Sequence, residues 1–96
     1  MYRNFVVPIP VSTTRYIRAW EFLPGGPLAV HHATMQFDTA GVAKRLDAGD
    51  PDAGYEGLIP HSASGPEGYF LDWGPGHMPY EAPAGMAWPV RPDTDL

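Results

Sequence analysis

The chain has 96 residues, a formal net charge of −5 with only six Lys and Arg, and no cysteine. That length makes one small domain, burying about 60–65% of the surface its unfolded chain exposes. The charge balance excludes a nucleic-acid binder, which needs a basic footprint, and argues equally against an anionic membrane surface. Without cysteine there are no disulfide staples and no thiolate metal sites, so His, Met, Asp and Glu are the possible ligands. Eleven Gly and twelve Pro are spread along the chain, and three Trp, five Tyr and four Phe supply core material. Such punctuation suits short strands joined by turns. No apolar stretch approaches the length of a membrane span. Residues 1–10 lack the apolar run and the cleavage site of a signal peptide.

In chain order, "YRNFVVPIPV" reads as a strand ended by Pro8 and Pro10, which donate no ladder hydrogen bond. "RYIRAWEFL", Arg15 to Leu23, alternates: Tyr16, Arg18, Trp20 and Phe22 fall on one face, Ile17, Ala19, Glu21 and Leu23 on the other. "PGGP", Pro24 to Pro27, is a tight connection. It leads into "PLAVHHATMQFD", Pro27 to Asp38, which reads as a half-buried strand. A short loop between two such runs predicts an antiparallel pair.

Asp38-Thr39 is placed to cap a short helix through "AGVAKRLDAGD", with Val42 and Leu46 as its apolar stripe. From Gly49 to Gly68 the chain reads as a long loop. "YFLDW", Tyr69 to Trp73, predicts an aromatic strand; "GPGHMPYEAPAG" is rich in turns, and "MAWPV" is a further strand. The expected fold is therefore all-β: a small antiparallel sandwich, or part of one, with one short helix and long loops.

His31-His32 is the feature with the most chemistry. Imidazole is the commonest metal-binding side chain and suits copper, zinc, iron and nickel. In a regular strand adjacent side chains face opposite ways, so the two can share an ion only where the strand kinks or bulges. The alternative is a pair of structural histidines. His61, His77 and Met78 are the further donors the sequence offers, with His77 read first as a surface or packing residue and Met35 as core. Asp47, Asp50 and Asp52 read as a solvated turn, since they lack the spacing and terminal Glu of a calcium loop. Ser12, Ser62 and Ser64 have no nucleophile-elbow context. Glu21 and Asp72 read as strand-edge carboxylates, or else as partners for metal-bound imidazoles. Trp20, Trp73 and Trp88 read as core anchors.

Two stretches together carry a family resemblance: "YIRAWEFLPGGPLAVHHATMQFD" and, after a variable loop, "GYFLDWGPGHMPYEAPAGMAWPVRPDTDL". The chain resembles the copper type II, ascorbate-dependent monooxygenases, such as peptidylglycine α-hydroxylating monooxygenase, dopamine β-monooxygenase and looser bacterial relatives. The likeness is to the N-terminal of that family's two copper domains and runs from about Tyr2 to the end. It implies a single partial domain over residues 1–96, with His31 and His32 as ligands of an electron-transfer copper reduced by a donor such as ascorbate.

The same resemblance implies that the third histidine of that site lies on a strand after "RPDTDL", beyond Leu96. The oxygen-activating copper belongs to the other domain. The family's cysteines are missing, Asn4 falling near one such position. The expectation is thus a truncated relative, inactive alone and extracytoplasmic if it follows the family. It would pair through an open sheet edge with a second copy or a larger protein, shielding Trp20, Phe22, Met35 and Phe37. The rival expectation is a non-catalytic β module for protein–protein interaction or assembly, with structural histidines.

Overall fold

A computed structural model describes residues 2–26, 28–57 and 71–96. Among them the chain is all-β apart from one short helix. The strands are β1 (Arg3–Asn4), β2 (Arg15–Ile17), β3 (Ala19–Trp20), β4 (Ala33–Thr34), β5 (Tyr55–Glu56), β6 (Asp72–Trp73), β7 (Tyr80–Glu81) and β8 (Trp88–Val90), and the helix α1 is Val42–Gly49. The strands pair antiparallel as β1–β5, β2–β8, β3–β7 and β4–β6. No described helix is long and apolar enough to cross a membrane.

The pairing departs from the expected hairpin. The run Arg15 to Trp20 pairs with the C-terminal third of the chain and not with the histidine strand. Ile17 faces Trp88 and Arg15 faces Val90, and beyond the break Trp20 faces Tyr80. Ala82 N–H donates to the Arg18 carbonyl at 2.7 Å and bridges the two ladders. The histidine segment pairs with β6, Ala33 opposite Trp73 and Thr34 opposite Asp72. Both long-range pairings bury Trp73 and Val90, which a local hairpin would leave to other cover. Register follows the face that must be buried, and a short connection permits a hairpin without requiring one.

Strict alternation fails at one place, for a visible reason. Ile17 and Trp20, assigned to opposite faces, both pack against the core. Between them Arg18 sits where the ladder passes from β8 to β7, and an irregular residue there shifts the side-chain phase as an extra residue in a ladder does.

The core is built on Phe37, Leu71 and Val90, with Ile9, Val11, Met35, Trp88 and Leu96 packed around them. Phe37 and Trp88 stack with ring centroids 6.4 Å apart. Of the four side chains expected to need a partner's cover, Phe37 is buried, Trp20 and Met35 pack on the core, and Phe22 lies 5.0 Å from Trp73, centroid to centroid. The apolar side chains left in solvent are others, among them Phe5, Leu23, Leu28 and Met78.

The last residues join the first. Val7 and Leu96 exchange two backbone hydrogen bonds, Ile9 N–H donates to Thr94, and Asp95 exchanges two with Asp38. The segment 94–96 therefore lies between 7–9 and 37–38. Pro8 and Pro10 occupy the alternate positions of the first segment, where the ladder asks for no donor, as their sequence predicts.

The N-cap of α1 is Gly41, in left-handed backbone at φ +67° and without a side-chain cap bond, and not the expected Asp38-Thr39; Asp38 reaches the first turn from three residues further back. Its Oδ1 accepts from Ala40 N–H at 2.9 Å and its Oδ2 from Ala43 N–H at 2.7 Å, so a carboxylate only 3% exposed satisfies the opening turn of α1. The predicted apolar stripe is weaker: Val42 is half-buried, Leu46 is exposed, and no helix residue is buried. The helix is thus held by the Asp38 bonds more than by packing.

The stretch expected as one long loop carries β5, paired with β1. Arg3 organises this corner. Its guanidinium donates to Asp50 Oδ1 at 2.9 Å and to the carbonyls of Ala53 and Gly54. Asp50 also accepts from Asp52 N–H, and that bond and the Arg3 contact hold its carboxyl below the usual carboxylate range. The acidic triplet is a braced turn.

Candidate metal centre

Two strand ends and two turns meet at one corner of the fold. Leaving β3, the chain passes Phe22, bends at Gly25 and Gly26, and turns where Ala29 N–H donates to Gly26 at 2.8 Å. His31 sits in a bend and His32 follows in irregular backbone, so β4 begins only at Ala33. The expected strand therefore forms only after the histidines, residues 28–32 lying in turn, bend and irregular backbone with Leu28 fully exposed. In this irregular backbone the two rings come together: their centroids are 4.3 Å apart and their planes 82° from parallel. Both histidines are exposed.

Opposite them, β6 ends in the buried Trp73 and runs into Gly74-Pro75-Gly76-His77. This is a type II β-turn by both chemistry and geometry. Proline holds the second position, Gly76 takes φ +88° at the third, and His77 N–H donates to the Gly74 carbonyl at 3.0 Å. A second bond doubles the closure: Gly74 N–H donates to His77 Nδ1 at 3.2 Å.

The β4–β6 register, carried one residue past Ala33 and Trp73, sets Gly74 across from His32. A carbon at the Cβ position of Gly74 would lie 3.6 Å from His32 Cδ2, 4.0 Å from His32 Nε2 and 3.9 Å from His77 Nε2. The fold thus sets two imidazoles, His32 and His77, on either side of a glycine, with His31 packed against His32. His77, which the sequence suggests as a surface or packing residue, stands beside the pair. The usable signal was the register: a turn motif one residue after the strand that pairs with the histidine strand.

The remaining expected donors stand elsewhere. Met35 packs on the core. Met78 is exposed and lines an open cleft of about 600 Å³ with His77, Trp20, Tyr80 and Asp72. Asp72 accepts from Thr34 Oγ1 at 3.1 Å across β4–β6, a strand-edge role, while Glu21 is exposed. His61, Ser62, Ser64, Tyr69 and Phe70 lie outside the described residues. Among the described residues, no group of three or more His, Asp or Glu is gathered closely enough to hold a metal ion.

Comparison with family models, with curated proteins and with solved structures found no match to this chain.

Proposed function

We propose that this chain is part of a copper-binding β domain, with His31 and His32 as the metal's protein ligands, in the manner of the copper type II, ascorbate-dependent monooxygenases it resembles. The observation that carries the reading is the irregular backbone ahead of β4, where two exposed imidazoles lie edge to face 4.3 Å apart although a regular strand would separate them. The donor chemistry fits. Imidazole serves copper in both oxidation states, and two nitrogens satisfy the low coordination number of Cu(I), whereas Cu(II) asks for more donors. Copper so held supplies one-electron redox chemistry. The chain's own part is to present the two rings on a corner braced by the buried Trp73 and the Gly74–His77 turn.

The second reading is an assembly module that pairs with another copy or a larger protein. Such pairing would cover exposed apolar side chains, Phe5, Leu23 and Leu28 among them. X-ray absorption of the Cu(I)-loaded chain separates the two. Two imidazole nitrogens at the copper are expected. A sulfur or carboxylate-dominated shell, lost or kept without regard to His31 and His32, would leave the assembly reading.

A further inference from the structure

The open cleft that begins at the Gly74–His77 turn has the volume of a small-molecule site, about 600 Å³. Part of its wall is aromatic. Trp20 and Tyr80 are directly opposed across the β3–β7 ladder, so their side chains stand on one side of it. The two rings are near parallel, 21° apart, with centroids separated by 6.5 Å, and both residues line the cleft. Trp20 also packs on the core, which fixes its ring before any ligand arrives. Met78 and Pro79 add a thioether and further apolar surface.

The charge in the cleft is negative. Asp72 and Glu81 line it, and among the described residues no Lys or Arg does. Glu81 has a counter-charge in Arg18, 3.2 Å away and as exposed as itself. Asp72 is half-buried, and the group bonded to it is neutral: the Thr34 hydroxyl donates to Oδ1 at 3.1 Å. A carboxylate beside two aromatic rings favours a cation, because the face of each ring is the negative part of its quadrupole. The same lining selects the kind of cation. A primary ammonium brings three N–H donors that each ask for an acceptor, and Asp72 Oδ1 is already engaged. A quaternary ammonium has no donor to satisfy and turns methyl groups to the rings, the proline and the thioether. We propose that this cleft binds a small quaternary ammonium ion, its head against Trp20 and Tyr80 and its charge balanced by Asp72. The site needs no metal and neither His31 nor His32, so it stands or falls apart from the copper reading.

The test titrates the metal-free chain with choline at constant ionic strength and follows it by ¹H–¹⁵N NMR. The Trp20 indole N–H and the amides between Gly76 and Glu81 are expected to shift together, while the indoles of Trp73 and Trp88 stay in place. Two further probes define the chemistry. The uncharged alcohol in which a carbon replaces choline's nitrogen has the same shape, and methylammonium has the same charge with three N–H donors; both are expected to bind more weakly than choline. Asp72→Asn removes the charge but keeps an oxygen for the Thr34 hydroxyl, and is expected to weaken choline about fivefold. Tyr80→Leu is expected to weaken it about threefold, the loss of one aromatic face, with its folding read from the same spectrum. Four results would overturn the proposal: no shift with choline, the uncharged alcohol binding as tightly as choline, methylammonium doing so, or an affinity indifferent to Asp72→Asn.

Discussion

The two ends of the histidine segment, six residues apart, have opposite characters. At Phe37-Asp38 both side chains are buried, the backbone is bonded to Asp95 in both directions, and the Asp38 carboxylate closes the start of α1. At His31-His32 both residues are exposed, and the backbone has not yet entered β4. One end is bound into the core and the other is displayed on it. Stability is expected to reside at the first and binding at the second, because buried contacts resist opening while exposed imidazoles remain available to ligands.

Truncating a side chain at each end is the strongest way to break that contrast. Phe37→Ala should cost about 3–5 kcal/mol through lost burial and the cavity beneath Trp88, enough to abolish the cooperative melt of so small a domain. His31→Ala should stay within about 0.5 kcal/mol, as exposed substitutions do. Equal losses in thermal melts would mean that the histidines are structural.

Two glycines sharpen it next. Gly54 takes φ +73°, and a Cβ there would run into the Asn4 carbonyl of β1, so Gly54→Ala should cost on the order of 2 kcal/mol. At Gly74 the same change meets only ordinary contacts, and denaturant midpoints should separate the two variants clearly. Asp38→Ala should follow at about 1 kcal/mol, since it orphans the half-buried Ala43 N–H of the first helical turn and the Ala40 N–H just ahead of it. Loss of helical circular dichroism should accompany it. A fully helical variant would show that packing holds α1.

The smallest effect concerns alkali. Burial, then the nearby Asp38 and Asp47 carboxylates, raise the Tyr55 phenol above its ordinary range. The folded chain therefore keeps that proton after the unfolded chain has lost it. No stability follows from this below the ordinary phenol range, and stability falls as pH rises through it. Ultraviolet titration should show a tyrosine component ionising above the ordinary phenol range, and Tyr55→Phe should remove it.

Much of this was legible in the residues, though unevenly. The all-β class with one short helix, the side-chain bonds of Asp38 to the start of α1, and the placing of Pro8 and Pro10 all rest on local chemistry, and local chemistry is written in local sequence. Strand partners were not legible. Nothing in "PGGP" announces that Arg15–Trp20 would take its partners from residues 80–90, because that choice is made by which distant apolar faces need cover. The arrangement around Gly74 was hidden for the same reason. The GPGH turn was readable, but its position against His32 depends on the β4–β6 register, a long-range fact.

The central claim is that His31 and His32 bind copper together. Competition of the purified chain against a chromogenic Cu(I) chelator measures it directly, with His31→Ala and His32→Ala beside the native sequence. The expected result is one Cu(I) per chain, bound more tightly than Cu(II), with each substitution weakening it about tenfold or more, since a two-nitrogen site cannot spare either donor. Cu(I) affinity that is the same in all three proteins would contradict the account.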